Sequence, residues 1–221
     1  MILDLTHTVT PEMPVYPGTP APAAEKLFTV EKDHFQETLL SLGSHTGTHM
    51  DAPAHLLAEG ETLDAMPVSR FCGSAVVWDV SVLGENGVIT EELLRTREEE
   101  LREAEFVLFY TGWQEKWGSE DYFSAFPTPD AAAARYLVSC GLKGVGTDAI
   151  SVDPVGTGLP AHRVLVGAGL VIMENLRLKE LTPYPRVRFW ALPLKYRNAD
   201  GAPIRAIAEI SEESEEKRNA T

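Results

Sequence analysis

The densest run of chemistry-bearing side chains lies between Ser44 and His55, reading Ser-His-Thr-Gly-Thr-His-Met-Asp-Ala-Pro-Ala-His. It holds His45, His49 and His55, half of the six histidines in the chain, with Asp51 between the last two. All four positions share one parity, so an extended backbone would turn them to one face. A helix would bring His45 and His49 together but send Asp51 to another side. A straight strand advances roughly 3.3 Å per residue, too far for all four to reach one ion. The run therefore has to bend. Gly43 and Gly47 permit it, and Pro53 keeps Ala52 out of helical geometry and can open a new element.

Neutral imidazole and carboxylate select a borderline divalent ion such as zinc, manganese or iron over magnesium or calcium. Two histidines and one aspartate leave coordination positions open to water, as catalytic sites do. An ordinary polar surface loop is the alternative. The His-x-x-x-His-x-Asp spacing between glycines and a proline weighs against it.

Composition bounds the partners. The chain has 221 residues, 44% hydrophobic and 24% charged, enough for one large domain with a real core. Its net charge of −14 argues against nucleic acid, which calls for clustered Lys and Arg. No apolar run has the length of a membrane span, and Met1–Leu5 does not read as a secretory signal. Cys72 and Cys140 form no ligand pattern and are expected to be reduced core thiols of a cytoplasmic protein. Residues 211–221, with Glu212, Glu213, Glu215 and Glu216, read as an acidic, fraying tail.

Residues 2–6 read as a short strand, and 25–30 with 35–42 as a strand pair leading into the histidine run. Thr62–Pro67 reads as a loop entering a short helix. Residues 75–80, 106–110 and 143–148 read as buried strands. Thr90 is placed as the N-cap of one acidic helix that carries Leu93, Leu94 and Leu101 on one side. A second helix is expected from Thr128-Pro129-Asp130, with the proline in its first turn, to Gly141. Helices alternating with apolar strands imply an α/β domain with a substantially parallel sheet. A glutamate, Glu174, ends the apolar stretch Leu170–Met173, where burial would require a partner or a metal.

The run from His45 to His55 resembles, at all eleven positions, the His-x-Gly-Thr-His-x-Asp-Ala-Pro-x-His motif of the cyclase family of metal-dependent hydrolases. Bacterial kynurenine formamidases and isatin hydrolases belong to that family. Met13-Pro14-Val15-Tyr16-Pro17-Gly18, Asp153-Pro154, Pro160-Ala161-His162 and Glu174-Asn175-Leu176 also look like family segments, so the likeness runs from Leu3 to about Ile210. It implies a single domain over residues 1–210, α/β with a mixed sheet in a layered β/β/α arrangement. It implies two divalent ions, Zn2+ or Mn2+. His45, His49 and Asp51 would hold the first, His162 and Glu174 the second, and Asp51 could bridge. Tyr16 would border the substrate. His55, past the ligands and beyond Pro53, would move protons.

The implied reaction is amide hydrolysis, most concretely of N-formylkynurenine to kynurenine and formate in tryptophan breakdown, by a cytoplasmic homodimer. Tyr16-Pro17-Gly18-Thr19 departs from the Trp-Pro-Gly-Asp expected of kynurenine formamidases. An isatin-hydrolase-like opening of a cyclic amide is the second reading, and a non-catalytic metal protein that binds a small acid is the third. Asp148 and Asp153 receive no role, and His7 and His34 are expected to be surface or structural residues.

Overall fold

The computed structural model describes residues 1–211; the acidic stretch from Glu212 onward lies outside the described residues. In chain order the strands are β1 (Ile2–Asp4), β2 (Ala23–Phe28), β3 (Glu37–Ser41), β4 (His49–Asp51), β5 (Cys72–Asp79), β6 (Val88–Ile89), β7 (Phe106–Tyr110), β8 (Thr128–Pro129), β9 (Gly144–Thr147), β10 (Val171–Glu174), β11 (Arg186–Pro193) and β12 (Gly201–Glu209). The helices are α1 (Val30–Asp33), α2 (Glu91–Arg95), α3 (Glu98–Glu103), α4 (Ala131–Ser139) and α5 (Pro160–Gly167).

Eight strands make one mixed sheet in the order β1-β12-β11-β5-β7-β9-β10-β4, and a further pairing of β12 with β4 closes it on itself. The block β5-β7-β9-β10 is parallel; the remaining pairings are antiparallel. Strands buried on both faces read as continuous apolar runs, which is the pattern of β5 and β7. Val76, Trp78, Val107 and Phe109 face a core shared with α2 to α5, while Ala75, Val77, Phe106 and Leu108 face the core shared with β11 and β12. Gly146 belongs to the tight inner side, since a β carbon there would lie 2.6 Å from Leu108.

Several local expectations need correction. The acidic segment is two helices, because Arg97 leaves helical geometry (φ −128, ψ 32). It turns inward to cover Trp78 at 4.9 Å and to donate to the Val77 carbonyl. Leu94 and Leu101 are nevertheless both fully buried, and the Glu91–Arg95 and Glu98–Arg102 pairs form. Pro129 lies in β8, not in the first turn of α4; Asp130 is the N-cap and accepts from the Ala133 N–H at 2.7 Å. After Thr62–Pro67 comes one turn of 3-10 helix, Val68–Phe71. Cys140 is buried but Cys72 is partly exposed, and both are free thiols. The β2–β3 pair forms as a ribbon whose residues are all exposed. Among the described residues no helix is long and apolar enough to cross a membrane.

Candidate metal centre

The histidine run bends as its composition requires. His45 sits in a turn, Gly47 takes φ +67, His49 and Asp51 lie two apart on β4, and His55 ends a 3-10 turn opened by Pro53. Register brings in the distant residues. Antiparallel pairing of β4 with β10 sets His49 opposite Glu174. On its other edge β4 pairs with β12, setting Asp51 opposite Gly201. His162 comes from the first turn of α5, which Pro160 opens at N1 or N2.

Three groups of donor atoms result among the described residues, each with its atoms within 4.8 Å of one another. Two of them, His45–His49–Asp51 and Asp51–His162–Glu174, share Asp51; the third, His45–His55–Asp200, is partly exposed. Asp51 Oδ1 lies 2.6 Å from His45 Nδ1 and 3.4 Å from His49 Nε2, while Oδ2 lies 3.4 Å from His162 Nε2. Glu174 is divided in the same way, with Oε2 at 3.5 Å from His49 Nε2 and Oε1 at 3.2 Å from His162 Nε2.

Each imidazole spends its other nitrogen on a fixed acceptor, the arrangement that sets tautomer and ring orientation around metals. His49 Nδ1–H donates to the Gly47 carbonyl at 2.8 Å. His162 Nδ1–H donates to Asp153 Oδ2 at 2.7 Å, and Asp153 also accepts the backbone N–H groups of Ala161 and His162. His45 Nε2–H donates to Asp200 Oδ2 at 3.1 Å. The nitrogens left over face Asp51 and Glu174.

The electrostatics point to a cation. Asp51 and Glu174 are 1% and 4% exposed. Burial by itself would push the Asp51 carboxyl up, yet His45, His162 and His49 around it hold it well below the usual carboxylate range. Burial likewise opposes charge on His162, but Asp153, Asp51 and Glu174 drive it up to about 12. The same contest, against Asp51 and Asp200, raises His45 to about 9. Carboxylates so placed demand positive charge, which divalent ions would supply while leaving the imidazoles neutral. The donor set therefore fits a bound metal ion.

The two groups that share Asp51 form the floor of a cavity of about 240 Å³ whose wall includes Pro14, Val15, Tyr16, Ile150 and Leu159. Tyr16 is partly buried against the aromatic cluster of Trp113, Tyr122 and Phe126, and its hydroxyl accepts the Gly156 N–H at 3.4 Å. His55 also lines the cavity, its ring 4.0 Å from that of His45 and 6.3 Å from that of His162. Burial and the neighbouring His45 and His162 lower its pKa.

Comparison with known proteins decides the family. A family model described as a putative cyclase matches residues 3–154. The chain belongs to the cyclase family. It is 35% identical over 212 residues to a kynurenine formamidase of Salinibacter ruber, covering 93% of this chain and 96% of that one. To a kynurenine formamidase of Geobacillus thermodenitrificans it is 32% identical over 207 residues, covering 92% and 95%. Among solved structures, an isatin hydrolase bound to the product analogue thioisatinate superposes with a TM-score of 0.86 at 26% identity, covering 96% of this chain and 92% of that chain. The mixed α/β sheet expected from the sequence is the fold of this cyclase family.

In this family member, sequence reasoning missed the outer ring of partners. Asp153 received no role, yet it holds His162. Asp200 was given no site role and holds His45, itself steadied by Tyr196 and Ser44 hydroxyls at 3.0 and 3.3 Å. Asn175, at φ +57, donates through Nδ2 to the Gly47 carbonyl that also receives His49, while its Oδ1 accepts the Tyr122 hydroxyl. Adjacency marks two of them, since Asp153 stands nine residues before His162 and Asn175 directly follows Glu174, whereas Asp200 is brought in by the β12–β4 pairing, one residue before Gly201. Asp148 belongs to neither group. Fully buried, it accepts from Thr111, Gly112 and Gln114, and burial raises its pKa to about 6 against those donors. His7 stacks on Trp117 at 3.7 Å, and His34 is exposed at φ +68 after α1.

Proposed function

We propose that this protein is a metal-dependent amide hydrolase of the arylformamidase type, converting N-formylkynurenine and water to kynurenine and formate. The observation that carries the reading is the convergence of five donors, His45, His49, Asp51, His162 and Glu174, at the floor of an apolar-walled cavity. The names of the Salinibacter and Geobacillus relatives support the formamide substrate. Divalent ions held by these donors, Zn2+ or Mn2+, would supply Lewis acidity, making water nucleophilic at neutral pH and drawing charge from the amide carbonyl.

The chain's own residues do the rest. Pro14, Val15, Tyr16 and Ile150 take the apolar part of the substrate and displace water from it. Bonds to Gly47, Asp153 and Asp200 keep the imidazoles oriented, so no reorganisation is needed during reaction. His55, at the cavity wall, takes a proton from attacking water and returns it to the leaving nitrogen. Without that proton the amine would leave as a costly anion.

The resemblance to isatin hydrolase favours one second reading, hydrolytic opening of a cyclic amide in the same cavity. Purified, metal-loaded protein assayed on N-formylkynurenine, isatin and an aliphatic formamide separates the two. Preference for N-formylkynurenine is expected, and failure on all three defeats the hydrolase reading. Family likeness also supports a homodimer, which sedimentation of the purified protein would test.

A further inference from the structure

Leu159 adopts φ 55 and ψ 54, the left-handed region, although it carries a full side chain. That conformation is disfavoured for any residue with a β carbon. Gly156 and Gly158 lie close by in the same loop, so a glycine could have stood there. Leu159 is also the N-cap of α5, where Ser, Thr, Asp, Asn or Gly is favoured, and it offers no side-chain oxygen to the helix. Two local preferences are thus violated at one position. Core packing does not compensate: Leu159 is partly exposed and belongs to none of the hydrophobic clusters among the described residues. Its side chain lines the cavity instead, with Tyr16 and Ile150, three residues before His162. Backbone strain kept at a cavity wall points to use of the side chain it presents.

We propose that Leu159 is a specificity-determining residue, whose side chain, held out by the left-handed N-cap of α5, completes with Tyr16 an apolar clamp that selects aryl over alkyl amides. This rests on the amide-hydrolase reading. A donor floor fixes the carbonyl end of an amide, so the group on the other side of the nitrogen has to lie along the apolar wall. A flat ring there gains contact that a short alkyl chain does not.

The test uses the full-length, metal-loaded protein with Leu159→Gly, Leu159→Asn and Leu159→Met. Glycine and asparagine tolerate the backbone but remove the apolar side chain, and methionine keeps it. The kcat/KM ratio of formanilide to N-butylformamide should fall roughly tenfold in the first two, the scale of losing a few methylenes of contact. In Leu159→Met it should stay near the wild-type ratio. Thermal midpoints should hold or rise in Leu159→Asn, which supplies an N-cap oxygen. Dissociation constants for acetanilide and N-butylacetamide, which carry the aryl or alkyl group on nitrogen, read by ligand-observed NMR, give a measure independent of turnover. If neither formamide is hydrolysed but acetanilide binding alone weakens in the glycine and asparagine variants, the hydrolase reading fails and the clamp stands. An unchanged aryl-to-alkyl ratio, or acetanilide binding that does not move, in folded Leu159→Gly and Leu159→Asn overturns the assignment.

Discussion

Glu174 stands directly opposite His49 across the β4–β10 ladder, and their side chains approach to 3.5 Å although 125 positions separate them in sequence. The ladder, not either loop, thereby sets the spacing of the two donor groups. A carboxylate at the end of a buried strand is accounted for once its two oxygens serve different imidazoles. Removing it should therefore affect both groups at once. Glu174→Gln keeps shape but not charge, and is expected to cut bound metal below one equivalent per chain. His34→Ala, on the exposed ribbon turn, should leave metal content as in wild type. Elemental analysis after gel filtration checks both, and a Glu174→Gln protein with full metal would remove Glu174 from the ligand set.

Asp153 touches the donor set only through His162, so its effect on a bound metal would pass through that ring. Asp153→Asn keeps a group of the same size but can no longer hold His162 by charge. Loss of such an outer partner typically weakens metal binding about 10–100-fold. Competition with a zinc-binding dye should show one of the two ions weakened and the other retained. Equal weakening of both would mean a general loosening of the fold.

Gly201 faces the His45 ring so closely that a β carbon would lie 2.5 Å from its Cε1. Gly201→Ala must displace that ring or the β12 backbone, both part of a packed site. Overpacking of this kind costs about 1–3 kcal/mol, read as a lower urea midpoint, with metal loss at the His45 group. An alanine variant with wild-type midpoint and metal content would show that the ring moves freely.

His7 predicts the pH dependence of stability. Burial, and then the charge of Arg177, lower its pKa to about 4, and its ring stacks on Trp117. An unfolded histidine titrates near ~6.5. Between those values the unfolded chain binds the extra proton, so this contribution to stability is lost as pH falls from about 6.5 to about 4 and stays constant below. His7→Phe keeps the stack and removes the titration. Urea midpoints taken across that window should slope less in His7→Phe than in wild type, and parallel curves would exclude the effect.

The parts of the site that were legible in sequence are those written locally. His45, His49, Asp51 and His55 fall in one bent run, and Glu174 ends an apolar strand, a position unusual enough to be noticed. Tyr16 and His162 became visible through family segments. Asp200 and Gly201 fall in a segment, Asp200–Arg205, that resembles the family's closing strands, but no site role was legible there, because it is closure of the sheet by β12 against β4 that brings them in. The break at Arg97 was hidden for a related reason. Its cause is Trp78, on a strand that helical periodicity does not see.

His55 offers the sharpest test, because proton transfer and metal ligation make opposite forecasts. It lies four residues past Asp51 and lines the cavity, with its ring 4.0 Å from that of His45. One geometric grouping does combine it with His45 and Asp200, so ligation is a real alternative. As a proton carrier, His55→Ala should keep both ions and its fold but lose ~10²–10⁴-fold in kcat. KM should change little, and the rate–pH profile should lose the limb that reports an imidazole. As a ligand, the same substitution would lower metal affinity in parallel with rate, and excess metal would restore part of the activity. Metal titration of the variant, followed by rates at saturating zinc or manganese, separates the outcomes: a folded, fully loaded and slow enzyme supports the shuttle, and rescue by added metal refutes it.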